Sequence, residues 1–128
     1  MALMDGIILF MKTIDGNLPW EQKTGYSKRI FVDGKDYGEP GGLVQEIKIK
    51  AGETAKKHYH KIQTEIYYFL TDYGYWIING EKKQFKVGDI LIIEPNDRHT
   101  IVNESSEDYL YLAFKFKYSP DDLYWEEV

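Results

Sequence analysis

The chain has no cysteine. That excludes a disulfide framework, a thiolate nucleophile and a sulfur-ligated metal site, so any metal here must be held by histidine and carboxylate. Histidine is itself scarce, with 3 in 128 residues. Positive charge is in deficit: the formal net charge is -5, and no basic run exceeds two residues. Nucleic-acid binders draw their affinity from cationic contacts to phosphate, so that class of partner is not expected. Long hydrophobic runs are missing too. The apolar stretch Ile7–Met11 is too short for a signal-peptide core, lacks a basic leader, and falls far short of a membrane span. It reads as a short edge strand, with Met4 and Met11 as alternative starts, and the protein is expected to be soluble and cytoplasmic.

What is present points to strands. Aromatic residues make up 16% of the chain, and flat or branched side chains pack well on a pleated surface. Helical periodicity is nearly absent, and short apolar runs recur between turn residues. Strands are expected at Tyr26–Val32, Leu43–Ile49, Thr54–His60, Glu65–Thr71, Tyr75–Ile78, Lys82–Val87, Ile90–Ile93, His99–Asn103 and Tyr109–Tyr118. Asn79-Gly80 is the strongest hairpin signal, because both residues tolerate positive φ. Ser119-Pro120-Asp121-Asp122 has a capping hydroxyl, a proline and then acids, which predicts one helical turn carrying Leu123, Tyr124 and Trp125. Many short strands without intervening helices indicate an all-β antiparallel sandwich or barrel, and no repeat or linker divides residues 1–128.

All three histidines fall in two short segments. On a strand, residues two apart share a face, so His58 and His60 can reach a common point. Glu65 follows after a short corner, and by the same alternation it shares a face with Tyr67 and Phe69. A carboxylate heading an apolar strand is rarely buried unless paired or bound to a cation. With His99 from the second segment, His58, His60 and Glu65 can close on one metal ion.

The first segment resembles the first motif of the cupin superfamily, a Gly, then His-x-His, then Glu, then Gly. Gly52, His58, His60 and Glu65 fall in register, while the closing Gly position holds Asp72 and the nearest glycine is Gly74. The second segment resembles the second motif, with Gly88, His99 and Asn103 in register, and with Glu94 and Asn96 where the motif has Pro and Gly. Asn96 can adopt the left-handed conformation that a glycine would supply. The two motifs span residues 52–74 and 88–103. The resemblance implies an antiparallel jelly-roll barrel, or double-stranded β-helix. It also implies one divalent transition metal (Mn, Fe, Co, Ni, Cu or Zn) held inside it by His58, His60, Glu65 and His99. An octahedral ion would keep two positions open to a small-molecule ligand. Cupins that this chain resembles usually pair through sheet edges, which implies a homodimer. The apolar segments Ile7–Met11, Leu18–Trp20 and Leu123–Trp125 would suit such an interface.

Two functions follow. One is metal-dependent catalysis on a small molecule, as a dioxygenase or a sugar-phosphate isomerase-like enzyme; Gly88–Asn103 resembles the matching segment of mannose-6-phosphate isomerases. The other is a non-catalytic small-ligand or metal-binding module, which a lumen filled by Tyr67, Phe69 and Trp76 would favour. Tyr67 is the candidate catalytic residue, by proton donation or substrate positioning. Lys56 shares parity with His58 and is placed to meet an anionic substrate at the barrel mouth, whereas Lys57 and Arg98 fall on the opposite face. Trp76 either stacks on a sugar or fills the barrel, and Asn103 is expected to orient the site.

Overall fold

The structure is a computed structural model and describes residues 2–4, 7–9 and 12–126. Its strands are β1 (Ala2–Met4), β2 (Ile7–Leu9), β3 (Glu21–Gln22), β4 (Ser27–Asp33) and β5 (Leu43–Ile49). They continue as β6 (Thr54–Tyr59), β7 (Thr64–Phe69), β8 (Tyr75–Ile78) and β9 (Glu81–Lys83). The last are β10 (Ile90–Ile93), β11 (His99–Val102), β12 (Tyr109–Phe116) and β13 (Tyr124–Trp125). Two antiparallel sheets face each other, in the orders β10-β7-β12-β5-β4-β3 and β13-β6-β11-β8-β9. This is the expected all-β barrel. β1 and β2 pair with each other as a separate hairpin, so the strand expected at Ile7–Met11 is seen as Ile7–Leu9, and Phe10 and Met11 lie outside the described residues.

Alternation along three neighbouring strands gives the barrel two unlike ends. The inward rows read Ile49, Ile47, Gln45 on β5, then Phe69, Tyr67, Glu65 on β7, and Tyr109, Tyr111, Ala113, Lys115 on β12. Their registers put Ile47 beside Tyr111, Gln45 and Tyr67 beside Ala113, and Glu65 beside Lys115. One end is therefore aromatic and dry, and the other is polar. At the dry end Phe69, Trp76 and Tyr109 are fully buried, and Phe85 stacks on Phe69 with ring centroids 4.7 Å apart. Such ring pairs each add about 0.5–1.5 kcal/mol beyond their buried area. Trp76 belongs to this end: its indole N–H donates to the Tyr109 hydroxyl at 3.0 Å, so it fills the barrel rather than offering a platform.

The hairpin at Asn79-Gly80 forms with φ of 49° and 85°, as its sequence requires. The return strand is shorter than expected, Glu81–Lys83 instead of Lys82–Val87, because Phe85 leaves the ladder to pack on the core. The helical turn expected after Ser119 is absent. Ser119–Asp122 closes a turn, with the Asp122 N–H donating to the Ser119 carbonyl at 3.1 Å, and β13 then pairs with β6. The edge position beside β6 wins over local helix propensity because one turn of helix gains little by itself.

The displaced glycine of the first motif has a packing reason. A Cβ on Gly74 would lie 2.3 Å from the Tyr109 ring, which is itself fully buried. Gly74→Ala is expected to destabilise the protein by about 2 kcal/mol through overpacking. Urea unfolding would check this, and an unchanged midpoint would refute it.

Candidate metal centre

β6 and β11 pair at His58↔His99 and again at Ala55↔Ile101, so Lys56 and Lys57 together oppose Thr100. This extra residue is a β-bulge, and it resets the alternation. Ala55 and His58, three residues apart, both face the interior. Lys56 is turned out to solvent, which overturns the expectation that it shares a face with His58. The bulge also frees the Lys56 carbonyl, which takes a hydrogen bond from His58 Nδ1 at 2.6 Å.

The other two imidazoles are held in the same manner. His60 Nδ1 donates to the Asp122 carbonyl at 2.5 Å, and His99 Nδ1 to the Asp97 carbonyl at 2.9 Å. A carbonyl oxygen can only accept, so each ring carries its proton on Nδ1 and turns Nε2 inward. Asn96, at φ 73°, makes the tight turn before His99 and anchors it by donating to the His60 carbonyl at 2.6 Å. The three rings offer ligand atoms within 4.8 Å of one another and can hold a metal ion. His99 is fully buried, and its Nε2 has no hydrogen-bond partner.

Glu65 adjoins this group through His60, its Oε1 lying 2.8 Å from His60 Nε2. The same oxygen accepts from Gln63 Nε2 at 2.9 Å, and Oε2 accepts from the Tyr67 hydroxyl at 2.5 Å. Burial pushes the Glu65 carboxyl up, but Lys115 across the strand pair and the adjoining His60 ring outweigh it and hold the group well below the usual range. Burial also lowers His58, to about 3, with the neighbouring His99 adding to the effect, and it lowers His99 as well. Burial and then the charge of Glu65 push the Tyr67 phenol well above its ordinary value. At neutral pH these shifts leave His58 and His99 as neutral bases, Glu65 as a carboxylate and Tyr67 as an intact hydroxyl.

Beside the histidines is a chamber of about 70 Å³, bounded by Gln45, Tyr67, Tyr111 and Lys115 among others. Each water needs about 10–15 Å³ on this measure, so a few waters or one small molecule would fit. Phe69 and Trp76 pack below it and do not fill it. Trp125 covers the opposite side, its ring 5.0 Å from that of His58.

Sequence reasoning missed three contributors. Lys115 was legible as an inward position at the end of Tyr109, Tyr111 and Ala113, but it was not singled out. Gln45 occupies the equivalent inward place on β5. Asp122 was read as part of a helix start. In the fold its carboxylate accepts from the N–H groups of Lys61, Ile62 and Gln63 at 2.7–3.0 Å, fixing the corner between His60 and Glu65. Nothing local in the sequence signals that contact. Asn103 bonds to the Ile49 and Glu107 carbonyls and to Ser105, so it orders the turn before β12 and does not orient the histidines. Arg98 stacks 3.6 Å from the Tyr59 ring and pairs with Glu126, outside the chamber as expected.

Facing antiparallel sheets, with a His-x-His pair and a distant histidine converging between them, define a cupin-type barrel. The family model for the cupin domain matches residues 45–114, and the chain belongs to that family. An oxalate-binding protein of Thermotoga maritima is 31% identical over 71 residues, which cover 56% of this chain and 59% of that protein. Among solved structures, a predicted oxalate decarboxylase from Thermotoga maritima superposes with a TM-score of 0.74 at 20% identity, over 82% of this chain and 98% of the other. The polyketide cyclase RemF from Streptomyces resistomycificus gives 0.78 at 16% identity, over 93% and 87%. At such identities the two structures speak for the fold alone. Among the described residues no helix is long and apolar enough to cross a membrane.

Proposed function

We propose that His58, His60, His99 and Glu65 hold one divalent first-row metal, and that the protein binds a small metal-chelating acid of the oxalate class on it. The observation that carries this reading is the buried, partnerless Nε2 of His99, turned to the same point as two other imidazoles. A buried acceptor left unpaired costs about 1–3 kcal/mol, and a cation would remove that cost. The contact between His60 Nε2 and Glu65 Oε1 supports the fourth ligand. Both atoms are acceptors once His60 Nδ1 holds the proton, so a proton or a cation must sit with them. Their 2.8 Å separation is close to the roughly 3.0 Å between neighbouring ligands of an octahedral ion with bonds near 2.1 Å.

Bound there, the ion would supply Lewis-acid polarisation of a carboxylate or carbonyl oxygen. The chain's own part is to orient and exclude. The three main-chain carbonyls fix the imidazole tautomers, Gln63 and Tyr67 steady the carboxylate, and Trp125 restricts the entrance. The chamber's small size favours compact acids, and the oxalate-binding relative is consistent with that choice. Isothermal titration of oxalate into the Zn-loaded protein is expected to give one-to-one binding that vanishes on chelation. Equal binding with and without metal would sink the reading.

Turnover is a second reading, favoured by the short bond between the Tyr67 hydroxyl and Glu65. That pair can hold a proton beside the open side of the site. Oxygen uptake by the Fe-loaded protein supports a dioxygenase, and anaerobic isomerisation with Zn supports an isomerase. The homodimer is also part of this proposal. The outer face of the large sheet exposes Ile90, Ile92, Tyr68 and Phe116, and a second copy would cover it; light scattering would test this. Within the same chain Trp20, from the segment Leu18–Trp20 that would suit such an interface, lies against Arg29 and Lys48 of the large sheet.

A further inference from the structure

A second cavity, of about 330 Å³, adjoins the chamber and shares Tyr26, His60, Lys115, Leu123 and Trp125 with it. Its walls carry Lys23, Lys28 and Lys115 and a single carboxylate, Asp122. Asp122 is already committed to three backbone N–H groups. Lys23 pairs with Glu21 at 2.7 Å. Among the described residues, neither Lys28 nor Lys115 makes an ion pair. Burial pushes the Lys28 ammonium down; Glu21 opposes this, while Lys23 and Lys115 add to it.

This is the reverse of the molecule's overall balance. A chain of net charge -5 brings Lys28 and Lys115, neither of them in an ion pair among the described residues, to the wall of one partly enclosed space. Lys115 stands across its strand pair from Glu65, and Lys28 across its own from Glu21, which is already drawn to Lys23 at 2.7 Å. An anion between Lys28 and Lys115 would relieve the repulsion and be held by both charges. The cavity is also too large for oxalate alone, so a ligand headed in the chamber has room to extend into it.

We propose that this vestibule is a second subsite, which takes a distal anionic group of the ligand. The ligand is then a chelating acid at one end and an anion, carboxylate or phosphate, at the other. The metal-binding reading supplies only the head-group half of this inference.

The test uses two matched pairs of ligands and the Zn-loaded protein. Calorimetric Kd values are compared for 2-oxobutyrate against 2-oxoglutarate, and for glycerate against 3-phosphoglycerate. The anionic member of at least one pair is expected to bind tenfold or more tighter, and the pair that responds identifies carboxylate or phosphate. Lys28→Gln should cut that ratio to threefold or less and leave the Kd of 2-oxobutyrate unchanged. Ratios near one in the wild-type protein, or a ratio untouched by both Lys28→Gln and Lys115→Gln, would overturn the subsite. The metal-free protein separates the two readings. Shifts of the Lys28 and Lys115 ammonium resonances with either 2-oxoglutarate or 3-phosphoglycerate, without any gain in affinity from Zn, would keep the vestibule and reject the metal reading. Absence of those shifts rejects the vestibule whatever the metal does.

Discussion

His99→Ala is expected to lower affinity for a divalent metal by at least about 100-fold, since even groups that only orient a ligand are worth 10–100-fold. The argument rests on geometry. His99 is fully buried and held by the Asp97 carbonyl, and its free nitrogen has nowhere else to turn. Losing it leaves two imidazoles and a carboxylate already engaged by Gln63 and Tyr67. At a free metal concentration 100 times its Kd, the wild-type protein should gain about 2.7 kcal/mol. For a chain of this length that corresponds to a rise in Tm of roughly 10 °C. The variant should show almost none of that gain. The metal-free melting point of the variant controls for the cavity that the substitution leaves. Elemental analysis decides the matter: one equivalent of metal persisting in both His99→Ala and His58→Ala would reject the site.

The fold class was legible because period-two patterning and turn residues carry it, and these are local signals. The hairpin at Asn79-Gly80 and the left-handed Asn96 follow from backbone sterics that any reader of the sequence can apply. Convergence of the histidines was legible from spacing, since the motif register survives even where Gly74 replaces the glycine expected two residues earlier. What could not be read lies in tertiary choices. The bulge at Lys56–Lys57 breaks the alternation within β6, because the extra residue puts the side chains before it out of step with those after it. That one residue moved Lys56 from the barrel mouth to the outside. Asp122 contacts residues about sixty positions earlier in the chain, so its helix-like neighbourhood was misleading. Lys115 was visible in principle, but an inward lysine has meaning only once Glu65 and Lys28 are known to stand near it.

In the metal-free protein, acid should unfold the chain from the histidine range downward. His58 is lowered to about 3, chiefly by burial, and His99 is also lowered. Above the ordinary histidine pKa of about 6.5 both states leave these rings neutral, and stability is flat with pH. Below it the unfolded chain takes up protons that the folded chain refuses, so stability falls as pH falls. Each such proton costs about 1.4 kcal/mol per pH unit. Between pH 6 and pH 4 His58 alone should remove on the order of 3 kcal/mol, and His99 adds to this in the same direction. Glu65 acts in the same direction at lower pH. Its folded pKa is depressed, so its contribution is present above the ordinary carboxylate range and is lost as pH falls through and below it. Urea midpoints at pH 7.5, 6, 5 and 4, measured with chelator present, should trace this decline. His58→Gln should flatten it by about one proton and His99→Gln should flatten it further, and bound metal should shift its onset to lower pH because the metal holds the same lone pairs against protonation. A midpoint that stays level from pH 7.5 to 5 would mean that these imidazoles are not held neutral in the fold, and the electrostatic account of the centre would fail with it.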